Sequence, residues 1–188
     1  MKKFILAIFL IILTAKVGFC ANFDYQEVYR NLEVPTFSYL HNIDPNQYYE
    51  CKGFTWSPYP LFRLNSPLFF KTISIEPGYY NLTPRVHDGK DYILFKEAGF
   101  VKYIVPVYKK DFVPENFYAE NLPQPKLTFG QKFQIYSLDF IGKHFQSAKR
   151  TPIPQTFLEV TDLDNNFISI VVYYKEFRYY MILRTIQM

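Results

Sequence analysis

From Phe69 to Lys110 the chain alternates short apolar runs with clear turn signals, a pattern that predicts four β-strands. Phe69–Ile75 is rich in aromatic and β-branched residues, and Pro77-Gly78 supplies a turn. Tyr79–Val86 is the second strand. Asp88-Gly89 follows, a pair that tolerates positive φ at both centres of a type I′ hairpin turn. Tyr92–Lys96 is the returning strand, Gly99 suits the left-handed position of a three-residue loop, and Phe100–Tyr108 leaves again. Side chains alternate along a strand, so Val101, Tyr103, Val105 and Val107 share one face, which predicts the core.

A second series of runs follows. Lys132–Leu138 reads as a strand, a polar, proline-containing loop spans Gly142–Pro154, and Phe157–Leu163 begins a hairpin turned by Asp164-Asn165-Asn166. Phe167–Tyr174 returns, Lys175-Glu176 turns again, and Phe177–Ile186 is the last strand. The halves can be superposed: Ile93–Glu97 matches Val172–Glu176, and Phe100–Tyr103 matches Phe177–Tyr180. The expected fold is mainly β, built from antiparallel meander sheets or small barrels. Two similar halves and one continuous meander are both open. The divisions are 21–66, a first β unit over 67–111, a connector over 112–130 with a turn of helix near Glu115–Glu120, and a second β unit over 131–188.

Ahead of the strands, Phe23-Asp24-Tyr25-Gln26-Glu27-Val28 has the form of a helix start, with Asp24 as cap, and Pro35 stops that helix near Glu33. Five prolines then interrupt residues 35–67 and leave room only for short strands at Tyr48–Phe54 and Leu61–Leu64. The segment is aromatic. Its rings either cover the sheet or form a binding platform, for which Tyr48, Tyr49, Trp56 and Tyr59 are the candidate residues.

Residues 1–20 change how the charge is understood. Lys2-Lys3, the apolar run Phe4–Leu13 and Gly18-Phe19-Cys20 have the three-part form of a secretory signal peptide cleaved before Ala21. An uncleaved anchor fits less well because Lys16 interrupts the apolar run, and Phe19 departs from the small residue a lipoprotein box places before Cys20. With these residues removed, the net charge falls from +4 to 18 basic against 17 acidic residues, or +1. No dense basic run remains to neutralise phosphates, which excludes nucleic acid as the expected partner. No spanning segment remains either. Aromatics at 20% of the chain favour sheets.

Candidate chemistry is sparse. His41, His87 and His144 lie at no ligand spacing, so no metal site is expected. Cys51 is the one cysteine beyond Cys20. As a nucleophile it needs His41 or His144 as base and Asp44 or Asp139 as orienter, and its flanks support none of this; a buried thiol is the plainer reading. Asp162 and Asp164 are turn residues, and no glycine-rich phosphate loop exists, so no cofactor is implied. The sequence therefore predicts an exported, non-catalytic binding or structural module of the cell envelope, with an envelope protein or a cell-wall glycan or peptide as partner. An envelope hydrolase is the first alternative. A small outer-membrane β-barrel is the second, opposed by strands that are apolar on both faces, such as Ile168–Tyr174.

Overall fold

A computed structural model describes residues 24–52, 54, 57–123, 126–145 and 154–187. The signal-peptide expectation lies outside them. Of the described residues 42% are in strands and 24% in helices, so the protein is mainly β and antiparallel. Among the described residues the strands do not close into a barrel.

One sheet has four strands in the order β1-β4-β5-β6, with β1 Leu61–Leu64, β4 Gly78–His87, β5 Lys90–Glu97 and β6 Phe100–Pro106. The other runs β3-β2-β10-β9-β8, where β2 is Leu68–Phe70, β3 Ile73–Ile75, β8 Thr156–Leu163, β9 Phe167–Tyr174 and β10 Phe177–Arg184. Strand β7, Lys109–Phe112, pairs the first half of β10, and β2 pairs its far end. The run read as one strand over Phe69–Ile75 is thus split, because Lys71 takes a φ of +50° and folds β3 back on β2. Both sheets contribute to a single apolar cluster, with Leu82, Phe95 and Val105 on one side and Ile170, Val172 and Met181 on the other.

The hairpin turns follow the local chemistry. Asp88 and Gly89 have φ of +48° and +76°, the two positive values that a type I′ turn requires. Ala98 and Gly99 join β5 to β6 as a two-residue loop, one residue shorter than expected. The match between Lys96-Glu97 and Lys175-Glu176 does not survive as a structural equivalence, since Lys96 lies within β5 whereas Lys175 is a turn residue with a φ of +57°.

Helix α1, Tyr25–Asn31, starts as the sequence predicts, with the Asp24 carboxylate accepting from the amides of Gln26 and Glu27. Its Tyr29 hydroxyl accepts from the Lys71 amide at 2.6 Å, and the ring meets Phe70 and Phe167 edge-on, which docks the helix at the end of the second sheet.

Two expected strands are helices. Tyr48–Phe54 is replaced by α2, Gln47–Cys51. Asp44 starts it, accepting from the Asn46 amide on its side chain and from the Gln47 amide on its carbonyl, and this local turn defeats the extended preference of the tyrosines. Lys132–Leu138 lies within α4, Phe129–His144. There the Gln131 side chain reaches back to the Thr128 amide at 2.9 Å, half of a capping box, and the apolar residues recur at helical spacing. A short helix α3, Phe117–Asn121, precedes it.

Candidate functional site

Strand β5 is buried on both faces. Its inner face feeds the apolar cluster, while Tyr92, Leu94 and Lys96 point outward beside Arg85, Thr83 and Asn81 of β4. Phe37, Asp44 and Pro60, from the irregular segment ahead of β1, lie across this outer face. Phe37 stacks on His87 at 3.8 Å and meets Tyr92 edge-on, and the Leu82 amide donates to the Pro60 carbonyl at 3.0 Å.

Between these anchors the cover and the sheet are joined by charge. Asp44 is 1% exposed and Lys96 3% exposed. Asp44 Oδ2 accepts from Lys96 Nζ at 2.5 Å, Arg85 Nη2 at 2.6 Å and Arg85 Nε at 2.9 Å. Glu50, on α2, accepts from Arg85 and from the Tyr59 hydroxyl. The Tyr59 ring lies near both cations, 5.7 Å from the Arg85 guanidinium carbon and 5.6 Å from Lys96 Nζ. Two carboxylates and two cations leave the group formally neutral, which is the condition for burying charge at tolerable cost.

Burial raises the Asp44 carboxyl, but the hydrogen bonds from Arg85 and Lys96 outweigh it and hold the group below its ordinary value. For Lys96 the balance is reversed, because burial lowers the ammonium and Asp44 restores only part of the loss. Burial, with Glu50 as acceptor, pushes the Tyr59 phenol well up, so it stays protonated and donates.

Two clefts adjoin helix α2 and share Gln47 and Cys51. One, of about 300 Å³, also includes Phe54, Tyr59, Asn81 and Lys96; a more open one includes Tyr48 and Lys52. Gln47 Oε1 is buried with no hydrogen-bond partner among the described residues. The Gln47 amide nitrogen sits against Gly99, where an added Cβ would approach to 3.1 Å, and Gly99 has a φ of +87° besides.

The four aromatic candidates separate. Tyr48 and Tyr49 are 73% and 76% exposed, with ring centroids 5.5 Å apart. Tyr59 is buried in the network, and Trp56 lies outside the described residues. Asp44 is no orienter for a histidine, since both its oxygens are occupied by Arg85, Lys96 and the Asn46 amide. Among the described residues, no three His, Cys, Asp or Glu side chains are grouped to hold a metal ion.

Sequence reasoning missed Arg85 and Lys96. Their partner lies 41 and 52 residues away, so no spacing links them. The one available signal was Lys96 itself, a charge at the end of the apolar run Tyr92–Phe95. Comparison with known protein families, curated proteins and solved structures returns no match.

Proposed function

We propose that the protein is an exported, non-catalytic binding module of the cell envelope and that the Tyr48–Tyr49 pair with the adjoining cleft takes a short cell-wall glycan. The observation that carries this reading is the exposed tyrosine pair on α2, a helix tied to the sheet by the Asp44 turn and by Glu50. Rings pack against the apolar face of a sugar, and Gln47 and Lys52 line the cleft beside Tyr48. A preorganised platform keeps the ordering cost of binding low.

Titration with soluble peptidoglycan fragments tests it. Binding is expected in the unaltered protein, with loss of at least tenfold in affinity in Tyr48→Ala/Tyr49→Ala and an unchanged urea midpoint, because exposed rings add little to stability. Equal affinity in that variant overturns the site. Fragments are expected back unchanged in mass, and cleaved products would shift the reading to a hydrolase. Intact-mass analysis of the exported protein, expected to begin at Ala21, tests the localisation.

A further inference from the structure

Helix α4 combines a row of exposed aromatic rings with a local excess of positive charge. None of its sixteen residues is buried, although Phe129, Phe133, Tyr136 and Phe140 recur at intervals of four, three and four. At about 100° per residue these rings fall within roughly 60° of the helix circumference. They are 56–86% exposed, more than the aliphatic Ile135 and Ile141, at 43% each, on the far side. Lys132 and Lys143 flank the aromatic stripe along one border. Residues 126–150 carry five Lys or Arg against Asp139 alone, a net +4, whereas the other residues from Ala21 onward hold 13 basic and 16 acidic groups, a net −3.

We infer that α4 is an interfacial helix that lays its aromatic stripe on an anionic lipid surface. The charge selects that occupant: the positive segment belongs to an otherwise negative chain, so attraction to an anionic bilayer is confined to this helix and its flanks. Sixteen residues span about 24 Å, and no helix among the described residues is long and apolar enough to cross a membrane, so the helix lies in the surface plane. Lysines on the border of the stripe bury their stems and keep their ammonium groups at the headgroups. This inference does not depend on the glycan site.

The test places a reporter on the stripe of the full chain, so that contact through Phe4–Leu13 is not mistaken for contact through α4. In Trp56→Phe/Phe133→Trp the only tryptophan sits on the helix. With vesicles of phosphatidylcholine and phosphatidylglycerol its emission is expected to shift to the blue and to be quenched by brominated acyl chains. Each basic residue near such a surface is worth about fivefold in binding, so Lys132→Glu/Lys143→Glu is expected to weaken the reporter's partitioning by tenfold or more, as is pure phosphatidylcholine. A reporter left unquenched on vesicle-bound protein overturns the inference, as does equal partitioning into pure phosphatidylcholine. A blue shift that grows with protein concentration without lipid also overturns it, assigning the stripe to a second copy. If the double variant does not fold, hydrogen exchange of the unaltered protein decides: amides of residues 129–144 gain protection on anionic vesicles, or they do not and the inference fails.

Discussion

The two three-stranded meanders, β4-β5-β6 and β8-β9-β10, share a topology and differ in what covers them. Each has a central strand buried on both faces and a two-residue turn into its last strand. Over the first, the cover is held by Asp44, Arg85, Lys96 and Glu50. Over the second, Phe117 of α3 stacks on Tyr173 at 4.3 Å with the rings 3° from parallel, Phe157 meets both edge-on, and the Tyr173 hydroxyl donates to Glu159 at 2.9 Å. An apolar cover adapts to small changes in position, since ring contacts are broad in angle. A charged one fixes its partner, because a buried ion accepts only geometries that satisfy it. The first meander is therefore the one whose cover, the proposed platform included, is held in a fixed position.

Asp44→Ala breaks this contrast hardest, stranding Lys96 in a buried site and leaving Arg85 with Glu50 as its one carboxylate. A loss of about 3–5 kcal/mol is expected from urea unfolding. Acid does the same more gently. The folded-state pKa of Asp44 lies below its unfolded value, so its contribution is full above the ordinary carboxylate range and fades as pH falls through the lowered value. The acid slope of stability is expected to be shallower in Asp44→Asn than in the unaltered protein. Phe117→Ala removes a half-buried ring from the apolar cover, and about 1–2 kcal/mol is expected. A loss equal to that of Asp44→Ala would mean that the two covers do not differ in kind.

The turns sharpen the comparison further. Gly89 at φ +76° has open space around its Cβ position, so Gly89→Val is expected to cost about 1–2 kcal/mol through backbone strain alone. The second meander meets the same demand with Asn165 and Asn166, at +60° and +61°. Asn166→Gly is expected to raise stability by under about 1 kcal/mol, the smallest effect of the set.

What could be read from the sequence was what residues decide with their neighbours. Asp88-Gly89 marked its turn, Phe167–Tyr174 its strand and Asp24 its helix cap, because each choice is settled within a few residues. Lys132–Leu138 misled because Phe133 and Ile135 alternate as in a strand, while the four-three-four recurrence from Phe129 to Phe140 needed a wider window. Tyr48–Phe54 misled because Asp44, outside it, sets the helical turn. The ion network was out of reach, since folding rather than spacing brings its members together.

Strand β10 pairs with β9, with β7 and with β2, and it is synthesised after all three. A nascent chain that has reached residue 170 already contains Lys109–Phe112 without its partner and Leu68–Phe70 paired on one edge only, with β3. The second sheet cannot be completed before β10 is made, and its closure waits on contacts more than 100 residues apart in sequence, the kind that form slowly. Closure of the second sheet is thereby deferred until β10 has been made, whereas β1, β4, β5 and β6 can pair with one another well before then.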